Sequence, residues 1–197
     1  MNDTTIIIQC YKNIDGSLHR SIQQTLEVCE KVIIYNDGSN EDFSKYKNMA
    51  EIVSTETFSG KYETCLAACL PLVTTKYVMK MNAGDNLVYT EEPKEGYDVF
   101  LARYTDPRFF HNLNKDFYNR SSSSFISGSV IPTEVYIDLV EKYSKLDETT
   151  KRQFPRFGMF CGNTILNSEL KYYLPDQPTY EFTYNMWGGQ REAFSIK

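Results

Sequence analysis

Two short strings carry residues able to do chemistry where a buried strand would end. In the first, the apolar run Val32-Ile33-Ile34-Tyr35 stops at Asn36-Asp37-Gly38-Ser39. In the second, Tyr77 to Met81 runs into Asn82-Ala83-Gly84-Asp85. A carboxylate at such a point accepts hydrogen bonds from the base or ribose of a nucleotide, and a following glycine lets backbone come close to the ligand. Open α/β sheets bind ligands outside the carboxyl ends of their strands, where nucleotides are common. The same Asp-Gly-Ser string also satisfies an ordinary β-turn, so both readings stand on these residues alone.

The elements that must position these strings follow from periodicity. Thr4 to Cys10, Lys31 to Tyr35, Glu51 to Ser54 and Tyr77 to Met81 read as strands, too short and too continuously apolar for helices. Asp15-Gly16-Ser17 turns into a helix carrying Leu18, Ile22 and Leu26 on one face, and Asn40 to Lys47 predicts a short second helix. A third, amphipathic helix is expected from Lys61 to Leu72, after Ser59-Gly60. This alternation predicts a mainly parallel sheet flanked by helices, the α/β class.

The pattern is less regular further on. Strands are expected at Tyr97 to Tyr104 and at Phe125 to Ile131, the latter interrupted by Ser127-Gly128-Ser129. Asp106 to Ser124 reads as a long loop, with Arg103 and Arg108 flanking it as diphosphate or acceptor contacts, or as plain surface arginines. A helix from Thr133 to Lys145 precedes a charged, mobile-looking stretch, Leu146 to Arg156. A short helix at Asn163 to Leu170, strands at Lys171 to Leu174 and Thr179 to Tyr184, and a tail Trp187-Gly188-Gly189-Gln190-Arg191 complete the reading.

Composition narrows the function classes. The chain has 197 residues, the size of one domain, and a formal charge of −5, which disfavours nucleic acid as the main partner. Its 15 tyrosines and 12 phenylalanines suit an aromatic-rich core, and also a pocket for a sugar or a base. The five cysteines, odd in number and irregularly spaced, point to reduced thiols. No apolar run reaches the length of a membrane span, and Met1-Asn2-Asp3 leads straight into a strand without a leader pattern. The expectation is a soluble, cytoplasmic protein with no integral membrane segment. Absent motifs exclude other classes: there is no G-x-G-x-x-G, no G-x-x-x-x-G-K-[ST] and no G-x-S-x-G.

In order and spacing, the strings resemble those of the family 2 glycosyltransferases of GT-A fold. That family reads roughly IIPTYN on its first strand, VVDDGS on its second and LDADD after its fourth. Here the corresponding strings are IIQCYK, IIYNDGS and MNAGD, and SGKYETCLAACL resembles the family's GGKSAARNAGL helix. The likeness covers about the first ninety residues and continues more weakly through Phe125 to Ile131. It implies one GT-A domain over 1–197, with a nucleotide-binding half at 1–90 and an acceptor-side half at 91–197. It further implies transfer of a sugar from a nucleotide diphosphate sugar, a UDP-sugar by preference, to a hydroxyl of a glycan or small glycoside.

By the same resemblance, Tyr11 and Asp37 hold the base and ribose, and Gln9, Gly38, Asn82 and Ala83 line the nucleotide. Lys61, at a helix start, lies near the diphosphate. Asp85 holds a divalent cation, Mn²⁺ or Mg²⁺, against that diphosphate. Trp187 faces the acceptor, stacking on a sugar or anchoring the tail. The sequence also departs from the family: Asn82 and Gly84 replace two acids of LDADD. Asn163 stands where GEDxxL carries the acceptor-deprotonating acid, and Asn185 or Met186 where a late metal-binding histidine is expected. An amide is no general base. Three explanations stand: a base from Asp106, Asp147 or Glu148; a retaining reaction; or a module that binds a nucleotide sugar or a partner without catalysis.

Overall fold

The computed structural model describes residues 1–11, 16–39, 42–104, 126–154 and 156–181. Strand β1 (Thr4–Cys10) is buried at every position and lies between β2 (Lys31–Asp37) and β4 (Tyr77–Asn82), with β3 (Glu51–Thr55) beyond β2. These four pair in parallel. On the other side of β4 the sheet adds β7 (Val130–Pro132), β6 (Val99–Phe100) and β8 (Tyr172–Tyr173), giving the order β3-β2-β1-β4-β7-β6-β8. β7 runs antiparallel to both β4 and β6, so six strands of the seven point one way. A separate antiparallel pair joins β5 (Asn86–Leu87) to β9 (Tyr180–Glu181).

Alternation along the strands divides the core between the two faces. Ile6, Ile8, Ile34 and Met79 pack with Leu18 and Ile22 of helix α1 (Ser17–Leu26) and with Phe43 and Tyr46. Ile7, Ile33, Tyr35 and Val78 face the other way. They meet α2 (Tyr62–Cys69), α3 (Thr133–Ser144) and α5 (Phe157–Leu166) through Leu66, Leu139 and Phe160. Each fully buried isoleucine or leucine contributes about 1.5–3 kcal/mol. All five cysteines are buried and unbridged, as small apolar groups.

Several sequence-based boundaries move. The helix expected at 40–47 is a single 3-10 turn at Ser44–Tyr46, and the one expected at 61–72 ends as α-helix at Cys69 and finishes in a 3-10 turn containing Pro71. The strand expected at 97–104 shrinks to β6, with an isolated bridge at Tyr104. The charged stretch 146–156 contains a helix, α4 (Glu148–Gln153), started by the Asp147 carboxylate, which accepts from the N–H groups of Thr149 and Thr150. The expected 163–170 helix lies earlier, as α5, because its apolar residues pack on α2 and α3 despite two glycines. Asp106, Arg108, Phe125, Asn185, Met186 and Trp187 lie outside the described residues, as do the whole of the 106–124 segment and the 187–191 tail.

Candidate functional site

The parallel register brings both acidic turns to one rim. Gln9 on β1 is level with Tyr35 on β2 and Asn82 on β4, so all three side chains share a face. Asp37 follows Tyr35 by two residues and therefore points the same way. The carboxyl ends of β1, β2 and β4 thus converge where an open α/β sheet places its ligand.

Asp37 is fully buried, at 0% exposure. Its Oδ1 accepts from the N–H and the hydroxyl of Ser59, both at 2.9 Å. Its Oδ2 accepts from Gln9 Nε2 at 2.8 Å and from the Gly60 N–H at 3.0 Å. Four donors match the roughly four lone-pair directions of a carboxylate. Asp37 therefore bolts the segment before α2 to the ends of β1 and β2. Gly38 makes this possible: it sits at φ +75°, and a Cβ there would lie 2.2 Å from the Phe58 backbone nitrogen. Only a residue without a side chain lets that strand of backbone cross.

The bolt has two consequences. Gln9 is 3% exposed, and its Oε1 is buried without a hydrogen-bond partner. Donation from Nε2 to Asp37 fixes the amide orientation, so the orphan is an acceptor. Leaving such a group unpaired costs about 1–3 kcal/mol. Meanwhile Phe58 is carried outward, 47% exposed, with its ring centroid 4.3 Å from that of Tyr11 at the end of β1. Lys61 is exposed at the N-cap of α2, as the placement near a helix start requires.

The second acid sits in a different setting. Asp85 Oδ2 accepts from Asn82 Nδ2 at 3.0 Å and from Tyr180 Oη at 2.7 Å. The β5–β9 pair delivers Tyr180, and Gly128 leaves room for its ring: a Cβ there would lie 2.3 Å from Tyr180 Cδ2. Asn82 also donates to Tyr62 Oη at 3.1 Å, and Tyr62 Oη lies 2.5 Å from Ser127 Oγ. Ala83, fully buried, joins β4 to β1 by donating its N–H to the Gln9 carbonyl.

Beneath this network lies Lys80, which the sequence reading missed. Its ammonium, at 0% exposure, donates to Asn82 Oδ1 at 2.6 Å and stands 3.1 Å from the Tyr62 ring centroid. Burial pulls its pKa down to about 7, against the opposing pull of the neighbouring Cys65, Asp85 and Asp37. Burial and the Asp85 charge raise the Tyr180 phenol, so it stays a donor. The one available signal was a lysine inside an otherwise apolar strand, because buried lysines are rare without partners. Asn82 is the partner. An acid there would accept from Lys80 but could donate to neither Tyr62 nor Asp85, so this departure from LDADD suits the network.

The residues at this rim also bear on the divalent cation. Among the described residues there is no group of three His, Cys, Asp or Glu side chains able to hold a metal. Asp85 is the acid of this network, and one of its oxygens already accepts two hydrogen bonds. This set does not make a cage of its own. A hard cation here would take one carboxylate, Asp85, and would have to draw its other ligands from a diphosphate and water.

Other expected residues lie elsewhere. Asn163 is on α5, half-buried, and its carbonyl accepts from Asn167. Asp147 is committed to capping α4, and Glu148 is exposed on it. Arg103 is pinned on the Pro175 carbonyl through Nε. A cavity of about 310 Å³ opens at the opposite, amino-terminal rim, lined by Thr5, Lys31, Ile33, Glu51 and Thr74.

No protein-family model matches the sequence, and no curated protein sequence matches it either. Solved structures do match. The S. aureus TarS 1-349 structure in complex with UDP superposes with a TM-score of 0.59 at 16% identity over 92% of this chain. A TarS 1-349 structure in complex with UDP-GlcNAc gives 0.56 at 15% over 92%. The mannosyltransferase PcManGT from Pyrobaculum calidifontis, in complex with GDP-Man and Mn²⁺, gives 0.64 at 11% over 94%. The chain spans 60%, 58% and 58% of those three chains. Mostly parallel sheet, flanking helices and these neighbours together make the fold that of the GT-A-type glycosyltransferases.

Proposed function

We propose that this chain is a glycosyltransferase that moves a sugar from a nucleotide diphosphate sugar, a UDP-sugar by preference, to a hydroxyl of a glycan or small glycoside. One observation carries the reading: two acidic turns and a buried orphan acceptor meet at a single carboxyl rim of a GT-A-type sheet. In transfer, the bond from the anomeric carbon to the diphosphate oxygen breaks and the diphosphate leaves with the electron pair. The acceptor oxygen bonds to the same carbon and gives up its proton. Residues 1–90 hold the donor and 91–197 form the acceptor side, with Trp187 as its aromatic residue.

The work of this chain's own groups follows from the site. Asp37 holds the 59–60 turn and orients Gln9. Lys61, exposed at the start of α2, offers positive charge to the diphosphate beside that helix's N-terminus. Lys80 fixes the Asn82 amide, which in turn aims Asp85. A divalent cation held by Asp85 supplies charge neutralisation for the departing diphosphate when bound. Asn163 takes no proton, so the acceptor's proton goes to another group or the reaction retains configuration.

A second reading has its own support. The shortage of carboxylates around Asp85, with Asn163 in place of an acid and Asp147 spent on a helix cap, suits a protein that binds nucleotide sugars without turning them over. Incubation with UDP-glucose, UDP-galactose and GDP-mannose, with Mn²⁺ or with EDTA, separates the two when nucleotide release is assayed beside calorimetric binding. Release that scales with added acceptor supports the transferase. Binding without release across a broad acceptor panel supports the module, and absence of binding overturns both.

A further inference from the structure

Asp37 is the acid that the strand-end pattern offers to a nucleobase, yet its acceptor positions are filled from within the chain by Gln9, Ser59 and Gly60. The unfilled acceptor next to it belongs to Gln9, whose Oε1 is buried and unpartnered. The amide cannot relieve itself by flipping, since that would set its oxygen against Asp37 Oδ2. Beside it, Tyr11 and Phe58 hold two aromatic rings 4.3 Å apart, and Phe58 faces solvent from a segment anchored on both sides by Gly38 and the Asp37 bonds. Single exposed apolar side chains are ordinary. A ring pair that begins two residues beyond an orphan acceptor, just past the end of β1, is an arrangement for a flat ligand with a hydrogen to give.

Resting on the nucleotide-sugar reading above, we infer that Gln9 Oε1 is the group that selects the nucleobase, accepting the ring N–H of a uracil or guanine stacked against the Tyr11–Phe58 pair. Asp37 is a positioning residue in this scheme: it acts through Gln9. Cytosine presents a ring acceptor instead, so two acceptors would face each other and the orphan would stay unpaired. Entry to the buried oxygen needs side-chain movement, and Phe58 is the half-exposed ring that rests on Tyr11 at that turn.

The test is calorimetry on the full chain with UDP, GDP, CDP, N3-methyl-UDP and inorganic pyrophosphate. UDP or GDP binds at least about tenfold more tightly than CDP, the scale of one buried hydrogen bond made or missed. N3-methyl-UDP, which lacks only the ring hydrogen and adds a methyl group, binds like CDP or more weakly. Gln9→Leu brings UDP down to the CDP level and leaves pyrophosphate binding unchanged. Equal affinity for UDP, CDP and N3-methyl-UDP overturns the assignment to Gln9 while leaving the nucleotide site standing. The ligand series needs no mutant, so a misfolded Gln9→Leu does not rescue the assignment. No binding of any nucleoside diphosphate overturns both this inference and the proposed function.

Discussion

The two acidic turns of the rim look alike in sequence and differ in commitment. At the end of β2, Asp37 spends itself on the chain: four donors from three residues saturate a carboxylate with no solvent exposure. At the end of β4, Asp85 is held by side chains, Asn82 and Tyr180, and that network rests on a buried ammonium. The first turn is joined by two backbone N–H groups together with the Ser59 hydroxyl and the Gln9 amide. The second is a chain of side-chain hydrogen bonds. An acid at a strand end is therefore not one kind of object. One builds the rim, and the other is placed on it.

The largest expected effect breaks the first turn. Gly38→Ala places a methyl group 2.2 Å from the Phe58 nitrogen at a φ of +75°. Urea unfolding should show a loss of about 3–5 kcal/mol, from overpacking and backbone strain together. A loss under 1 kcal/mol would mean that the crossing of residues 57–58 over β2 is not as described.

Gly128→Ala attacks the second turn, with its Cβ 2.3 Å from the Tyr180 ring. Here the obstacle is a side chain, which yields more than backbone, so the expected loss is smaller, about 2–4 kcal/mol. Displacement of Tyr180 should also free Asp85 from one donor. A crystal structure of the variant with the Tyr180–Asp85 bond intact would contradict this.

Asp37→Asn keeps the shape and sets an NH₂ group against donors that need an acceptor. It should cost about 2 kcal/mol, read as a lowered urea midpoint with unchanged slope. A neutral effect would remove the bolt from the account.

Lys80 gives a pH signature. The unfolded lysine holds its proton up to about its ordinary 10.5, whereas the folded one releases it near 7. Between those values the unfolded chain binds the extra proton, so stability rises with pH, by about 1.4 kcal/mol per unit from this group alone. Above about pH 9 the trend reverses, because burial raises Cys65 and Cys161 above their ordinary 9.0 and keeps Tyr180 protonated in the folded state. Lys80→Met should flatten the slope between pH 7 and 9. Identical slopes in the two proteins would contradict the buried ammonium.

Much of this is legible in the sequence. β1, β2 and β4 announce themselves as apolar runs ending in polar turns, and parallel pairing sends such ends to one rim. Lys80 was hidden because it sits inside one of those runs, where alternation counts it as a core position. The commitment of Asp37 was hidden because its donors at 59 and 60 are distant in sequence and meet it only after β3 and α2 are placed. Asp147 shows a missed local signal: an acid followed by Glu-Thr-Thr starts α4, in a stretch whose charge suggested no helix. α5 was misplaced because Gly158 and Gly162 dilute a helix that packing sustains.

The central claim is that the carboxyl rim, and not the cavity at the amino rim, receives the nucleotide. Titration of the labelled protein with UDP, followed by backbone amide shifts, addresses it in one experiment. The account predicts shifts at Gly38, Ser59, Gly60, Ala83 and Asp85, with Thr5, Lys31, Glu51 and Thr74 unmoved. Shifts confined to the second group, or none at saturating nucleotide, would contradict it.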